Sequence, residues 1–239
     1  MDKVKLNKFI SKYFLNGLVE SAIWHSNGNL STKFVDDTKS LVGEVVCEKS
    51  SFPEGEFGIN QTSKLRSLLG VVSDTITIDI KSRDNIATMM NISDTGVNVN
   101  YMLADIQVIP KVPALKNLPS WDLTLNLTEA FIENFIKASS ALSDVKEFAV
   151  ITKNNVVSLV IGHANVNTTK VAVNADAKTY TDIAVTYFSA THLKEILLAN
   201  KDAKNGKFEI SEKGLAKITF HIDDFKSTYY LVSRQDINA

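Results

Sequence analysis

Residues 56–80 and 184–220 carry one pattern twice, and a duplicated pattern confines the chain to folds built from two similar halves. The first copy runs Phe57, Ile59, a polar step Asn60-Gln61-Thr62-Ser63, then Lys64-Leu65-Arg66-Ser67-Leu68-Leu69, then Ile76, Ile78 and Ile80. The second runs Ala184, Val185, Tyr187, Phe188, a step Ser189-Ala190-Thr191, then His192-Leu193-Lys194-Glu195-Ile196-Leu197, then Phe208, Ile210, Ile218 and Phe220. Each copy reads as strand, short capped helix, strands. Leu65, Leu68 and Leu69 recur as Leu193, Ile196 and Leu197 at identical spacing. A chain of two similar halves is suited to a symmetric or pseudo-symmetric assembly.

The repetition reaches the start of each half. Leu6, Phe9, Ile10, Tyr13 and Phe14 form an apolar stripe at helical spacing, and Leu127, Phe131, Ile132, Phe135 and Ile136 form a second, with Thr128 and Glu129 in its first turn. Two-residue alternation predicts strands over 75–80, 97–109, 148–152, 156–161 and 170–173. Pro110, Pro113 and Pro119, three of the chain's four prolines, fall in one mid-chain segment. Proline fixes φ and donates to no ladder, so this stretch is expected to be an extended connector. The expected organisation is an N-terminal domain over 1–109, a connector over 110–120 and a C-terminal domain over 121–239.

Composition narrows the function classes. With 44% apolar and 22% charged residues, the chain has material for two cores. No apolar run is long enough to span a bilayer, and the start of the chain lacks a secretory pattern. The single cysteine, Cys47, excludes an intramolecular disulfide framework and fits a reducing compartment, so a cytoplasmic location is expected. Searching for catalytic chemistry finds no phosphate loop, no dinucleotide-binding glycine motif, no zinc-protease motif and no nucleophile elbow. Cys47 lies in an apolar run and reads as a buried thiol. His221 and Asp223 would share a face of one strand but lack a third metal ligand. Asp36-Asp37 and Asp223-Asp224 read as turn residues. The expectation is a protein that is not an enzyme and needs no cofactor or metal.

The formal net charge of −1 rules out a generally basic nucleic-acid binder, so any such role requires unevenly placed charge. Opposite the first apolar stripe lie Lys5, Lys8 and Lys12. Lys137 lies opposite Phe131 and Phe135, Lys64 and Arg66 flank the second helix, and Lys194 and Lys201 flank the fourth. Recurrence at equivalent elements of a duplicated unit suggests one phosphate-facing surface, with Lys5, Lys8, Lys12 and Lys137 expected to be exposed. Glu133 and Glu195 beside them keep that surface only weakly positive.

Several segments resemble the DNA sliding clamps, both the proliferating cell nuclear antigen type and the clamps of tailed phages. They are Ala22-Ile23-Trp24 with Gly28 and Leu30, Val35-Asp36-Asp37-Thr38-Lys39-Ser40-Leu41-Val42, 59–69 followed by Asp74, Ile76, Ile78 and Asp84-Asn85, and Ser227-Thr228-Tyr229-Tyr230-Leu231-Val232. The resemblance covers both halves. It implies an α+β fold of two similar β-α-β-β-β type domains, assembling head to tail into a homotrimeric ring with helices inside and sheets outside. Such a ring encircles double-stranded DNA without sequence specificity, slides, tethers a DNA polymerase, and is placed on DNA by a clamp loader. Weak, non-specific phosphate contact is what sliding needs, so a modest lysine set is compatible with that role.

By the same resemblance, the subunit interface would use edge strands around Tyr101, Leu103, Asp105 and Ile106 of one chain and Lys170, Val171 and Val173 of the next. A groove for partner peptides would involve Val35, Leu41 and Val42, the connector residues Ala114, Leu115 and Leu118, and Tyr229, Tyr230, Leu231 and Val232. Three other readings compete: a monomeric processivity factor binding DNA on an open face, a viral structural or interaction protein with no DNA role, and an enzyme with an unrecognised site. The first would want a strongly basic face, which the near-neutral charge opposes. The weak match to cellular clamps favours a phage source.

Overall fold

A computed structural model describes residues 2–164, 166 and 168–234. The chain divides into two compact units, one of residues 1–113 with 223–227 and one of residues 114–222 with 228–239.

In the first unit, α1 (Lys3–Phe14) opens the fold. Asp2 caps it, its carboxylate accepting from the Lys5 amide at 2.6 Å. Strands β1 (Ala22–Ser26), β2 (Leu30–Val35), β3 (Leu41–Cys47) and β4 (Gly55–Ile59) follow, ordered β3-β2-β1-β4 and antiparallel. Then come α2 (Thr62–Leu69) and a separate three-stranded sheet of β5 (Thr77–Arg83), β6 (Ile86–Ser93) and β7 (Asn98–Met102). No side chain of the polar step before α2 caps it from the N-cap position. The cap comes from Glu20, whose carboxylate accepts from the Ser63 amide at 3.0 Å while its carbonyl accepts from the Thr62 hydroxyl at 2.9 Å. The two-residue turn joining β5 to β6 is Asp84-Asn85, both with positive φ, the backbone a tight hairpin demands and Asn and Asp tolerate.

In the second unit, β8 (Leu123–Asn126) leads into α3 (Glu129–Ala141), capped by the Thr128 hydroxyl accepting from the Phe131 amide at 3.2 Å. Strands β9 (Glu147–Lys153), β10 (Val156–Ile161), β11 (Val171–Thr179) and β12 (Thr186–Ser189) precede α4 (Ala190–Ala199), which Ser189 caps. Strands β13 (Lys207–Ser211) and β14 (Leu215–Ile222) complete the run β12-β9-β10-β11-β8-β13-β14. The last strand, β15 (Phe225–Val232), is shared between the two units at Ser227/Thr228. Asn154-Asn155 makes the β9–β10 turn, again with both φ positive. Residues 111–120 contain neither helix nor strand.

Each core is built on aromatic pairs. In the first unit Trp24 is fully buried among aromatic rings, with Phe9 at 5.4 Å and Phe52 at 5.6 Å edge-on, and Phe52 meets Phe57 at 5.4 Å. In the second, Phe135 meets Phe148 at 5.4 Å and Phe148 stacks on Phe188 at 5.9 Å. Each such pair adds about 0.5–1.5 kcal/mol to the burial of its rings.

One strand expectation is overturned. The alternation over 97–109 continues as strand only to Met102. Ala104 keeps a single bridge to Gly58, and the Asp105 carboxylate then accepts from the Gln107 amide at 2.8 Å, starting a 3-10 turn at Ile106–Val108. A local side-chain acceptor here outcompetes the ladder. His221 and Asp223 do not share a strand face either, because β14 ends at Ile222 and Asp223 sits in the turn with φ 52°.

Candidate nucleic-acid interface

The helices present the basic residues, and in each unit the two helices pack together, α1 on α2 and α3 on α4. On α1 the apolar stripe faces inward: Leu6, Phe9, Ile10 and Tyr13 are wholly buried. Of the three lysines expected opposite, only Lys8 is exposed. Lys5 is turned down onto neighbouring backbone. Its Nζ donates to the Asp224 carboxylate at 2.7 Å and to the carbonyls of Glu48 and Lys49 at 3.2 and 3.4 Å. Desolvation opposes the ammonium, but the hydrogen bond and charge of Asp224 outweigh it, so the Lys5 pKa is raised. Asp224 is held low by the same hydrogen bond.

Lys12 corrects the expectation of exposure. It is 4% exposed, and its Nζ lies 5.6 Å from the centroid of the Phe225 ring. A four-carbon stem buries readily against an aromatic, and the ring face attracts the charge at its end. Lys3, which the stripe did not single out, donates to the Val72 carbonyl at 2.5 Å and lies 3.9 Å from Asp74.

On α2 both Lys64 and Arg66 are exposed, and the Arg66 guanidinium stands 5.1 Å over the Phe14 ring. In the second unit Lys137 is exposed and pairs with Glu133 one turn earlier at 3.0 Å. Lys194 is half-buried on α4, and Lys201 is exposed just past the helix, beyond the C-cap Asn200. Burial pushes the Cys47 thiol up to about 11, which keeps it protonated and inert. Among the described residues no cluster of three His, Cys, Asp or Glu is placed to hold a metal.

Among the open strand edges of the described residues, β7 and part of β11 belong to different units. Strand β7 ends its sheet, with β6 on one side only. In β11, residues 171–175 pair with β10, whereas β8 covers only the stretch from Asp176 onward. Around these edges Met102 (64%), Ile106 (40%) and Val108 (70%) are exposed apolar residues, and Leu103 and Val171 are half-buried. Asp105 and Lys170 are exposed. Tyr101 and Val173 point into their own units. Tyr101 is 2% exposed, and its hydroxyl accepts from the Gln61 amide at 3.3 Å. Both residues reach these edges through backbone alone.

The residues expected to line a peptide groove also divide. Leu41, Tyr229 and Leu231 are core residues, and Val42 is nearly so. Alternation along β15 turns Tyr229 and Leu231 inward and leaves Tyr230 half-buried and Val232 exposed. Val35 is half-buried, while Ala114, Leu115 and Leu118 are exposed on the connector.

No family model and no curated protein sequence matches the chain. Solved structures do. The chain is similar to proliferating cell nuclear antigen from Entamoeba histolytica at a TM-score of 0.75 and 16% identity, over 98% of this chain and 97% of that one. It is similar to proliferating cell nuclear antigen of A. fulgidus, solved with the C-terminal region of FEN-1 bound, at a TM-score of 0.72 and 17% identity, over 99% of this chain and 97% of that one. At this identity the likeness speaks for fold: the chain has the α+β clamp fold of proliferating cell nuclear antigen, two similar helix-and-sheet units.

Proposed function

We propose that the chain is a DNA sliding clamp, a processivity factor without chemistry of its own that closes into a head-to-tail homotrimer around duplex DNA. The observation that carries this reading is that β7 in one unit and residues 171–175 of β11 in the other both leave an edge open. Because the two edges are different surfaces, pairing β7 of one copy with β11 of the next is heterologous and generates a ring when the rotation closes. The exposed Met102, Ile106 and Val108 would then be covered. The fold supports the same reading, as do the exposed lysines and arginine on the helices. Partners in this reading are a DNA polymerase, a clamp loader and peptide segments like the FEN-1 region held by the A. fulgidus protein. The surfaces available to peptides are the exposed connector residues Leu115 and Leu118 and, on β15, Tyr230 and Val232.

Size-exclusion chromatography with light scattering tests it. The expected mass is three times the 26.4 kDa of one chain. Replacing Met102 and Ile106 by Glu, both on the exposed side, is expected to yield a folded monomer. A wild-type monomer, or a double variant that stays trimeric, would sink the proposal.

A further inference from the structure

Resting on the clamp reading, we infer that contact with the DNA backbone is carried by the first unit alone, through Lys8, Lys64 and Arg66, and that the helix face of the second unit is an electrostatically neutral spacer. The helices of the first unit, α1 and α2, contain Lys3, Lys5, Lys8, Lys12, Lys64 and Arg66 and no acidic residue. Those of the second, α3 and α4, contain Lys137 and Lys194 against Glu129, Glu133 and Glu195.

The contrast holds position by position across the internal repeat. Phe9, Ile10 and Tyr13 correspond to Phe131, Ile132 and Phe135. In that register Lys8 stands where the second copy has Ala130, and Ser11 where it has Glu133. On the shorter helices Lys64 stands where the second copy has His192, which is buried, and Ser67 where it has Glu195. Arg66 and Lys194 alone keep a cation in both copies, and of the two only Arg66 is exposed.

Geometry then selects three cations within the first unit. Lys12 is buried, and Lys3 and Lys5 are half-buried. Lys8, Lys64 and Arg66 are the exposed cations of these two helices. The Phe14 ring under the Arg66 guanidinium limits its freedom, so less entropy is lost when it meets a phosphate. Each phosphate neutralised releases counterions, so the number of phosphates engaged is readable as a salt dependence.

The test uses the full chain and a short fluorescein-labelled duplex, with affinity followed by anisotropy across a salt series. The triple variant Lys8→Gln, Lys64→Gln, Arg66→Gln is expected to flatten the slope of log K against log salt by roughly 0.9 per phosphate no longer neutralised. The triple variant Lys137→Gln, Lys194→Gln, Lys201→Gln is expected to leave the slope unchanged. Relieving the acidic side chains of the second unit with Glu133→Gln and Glu195→Gln is expected to tighten binding. Light scattering on each variant shows that the assembly persists. Equal losses from the two triple variants, or no loss from the first, would overturn the allocation to one unit while leaving the clamp reading intact. Absence of any salt-dependent binding by the wild-type trimer would overturn the clamp reading itself.

Discussion

The second unit holds a strand that has no counterpart among the described residues of the first. Strand β8 lies between β11 and β13 with a ladder on each side, so its backbone joins the two halves of that unit into one sheet. In the first unit, among the described residues, no strand links the β3-β2-β1-β4 run to the β5-β6-β7 sheet. What resembles pairing between those two sheets is the lone bridge of Gly58 with Ala104. What holds the first unit together is side-chain packing: the aromatic cluster about Trp24, and the buried Tyr13 hydroxyl 3.0 Å from the Thr62 hydroxyl, which itself donates to the Glu20 carbonyl. The same helix-and-sheet unit can therefore be closed by backbone hydrogen bonds or by the packing of large rings.

Truncating each closure sets them against one another. Trp24→Ala is expected to cost about 3–5 kcal/mol, the range for emptying a large aromatic site. Leu125→Ala in β8 is expected to cost ~2–5 kcal/mol, the range for emptying a buried leucine site. Urea unfolding measures both, and a smaller loss at Trp24 than at Leu125 would break the comparison.

A more local effect is expected at Gly58. A Cβ there would sit 2.3 Å from the Ala104 carbonyl oxygen, too close for any real contact, so Gly58→Ala must part the bridge. The expected loss is about 1–3 kcal/mol. Hydrogen exchange sharpens it, since the Ala104 amide donates to the Gly58 carbonyl at 2.8 Å and should lose its protection.

The smallest expected effect is a pH dependence confined to the β6–β7 end of the first unit. The Asp94 carboxylate accepts from the amides of Ser73, Gly96 and Val97, which pull its pKa down to about 2 from an ordinary value of 3.8. A carboxyl depressed on folding stabilises the protein above its ordinary pKa and loses that contribution as pH falls through the depressed one. The melting-temperature gap between wild type and Asp94→Asn should accordingly be full above pH ~4 and shrink toward about pH 2. A gap that stays constant across that window would remove Asp94 from the account. Lys5 and Asp224 obey the same logic at opposite ends. The raised Lys5 keeps its contribution until pH rises through its pKa, and the lowered Asp224 keeps its own until pH falls through its pKa.

Much of the fold was legible because its signals are local. The stripe from Leu6 to Phe14 and its echo from Phe131 to Ile136 give α1 and α3, since helical spacing selects one face whatever the face packs on. Thr128 and Ser189 cap as their residue types predict. The 97–109 alternation misled because Asp105, three residues after Met102, carries a side-chain acceptor for a nearby backbone amide, and periodicity alone does not weigh that competition.

By itself, then, the sequence determined the duplication, the four helices with their inward faces, most of the strands, and a charge too near zero for a generally basic nucleic-acid binder. The tertiary structure alone decided which lysines remain at the surface. Lys5 finds Asp224 far along the chain and Lys12 lies under Phe225 from the last strand, so a stripe of three became one exposed residue. It likewise decided that Tyr101, Tyr229 and Leu231 face inward and that β7 and β11 keep open edges. The physical reason is range. Periodicity and capping act within a few residues, whereas ion pairing, ring packing and strand neighbours join residues that the chain brings together only once it has folded.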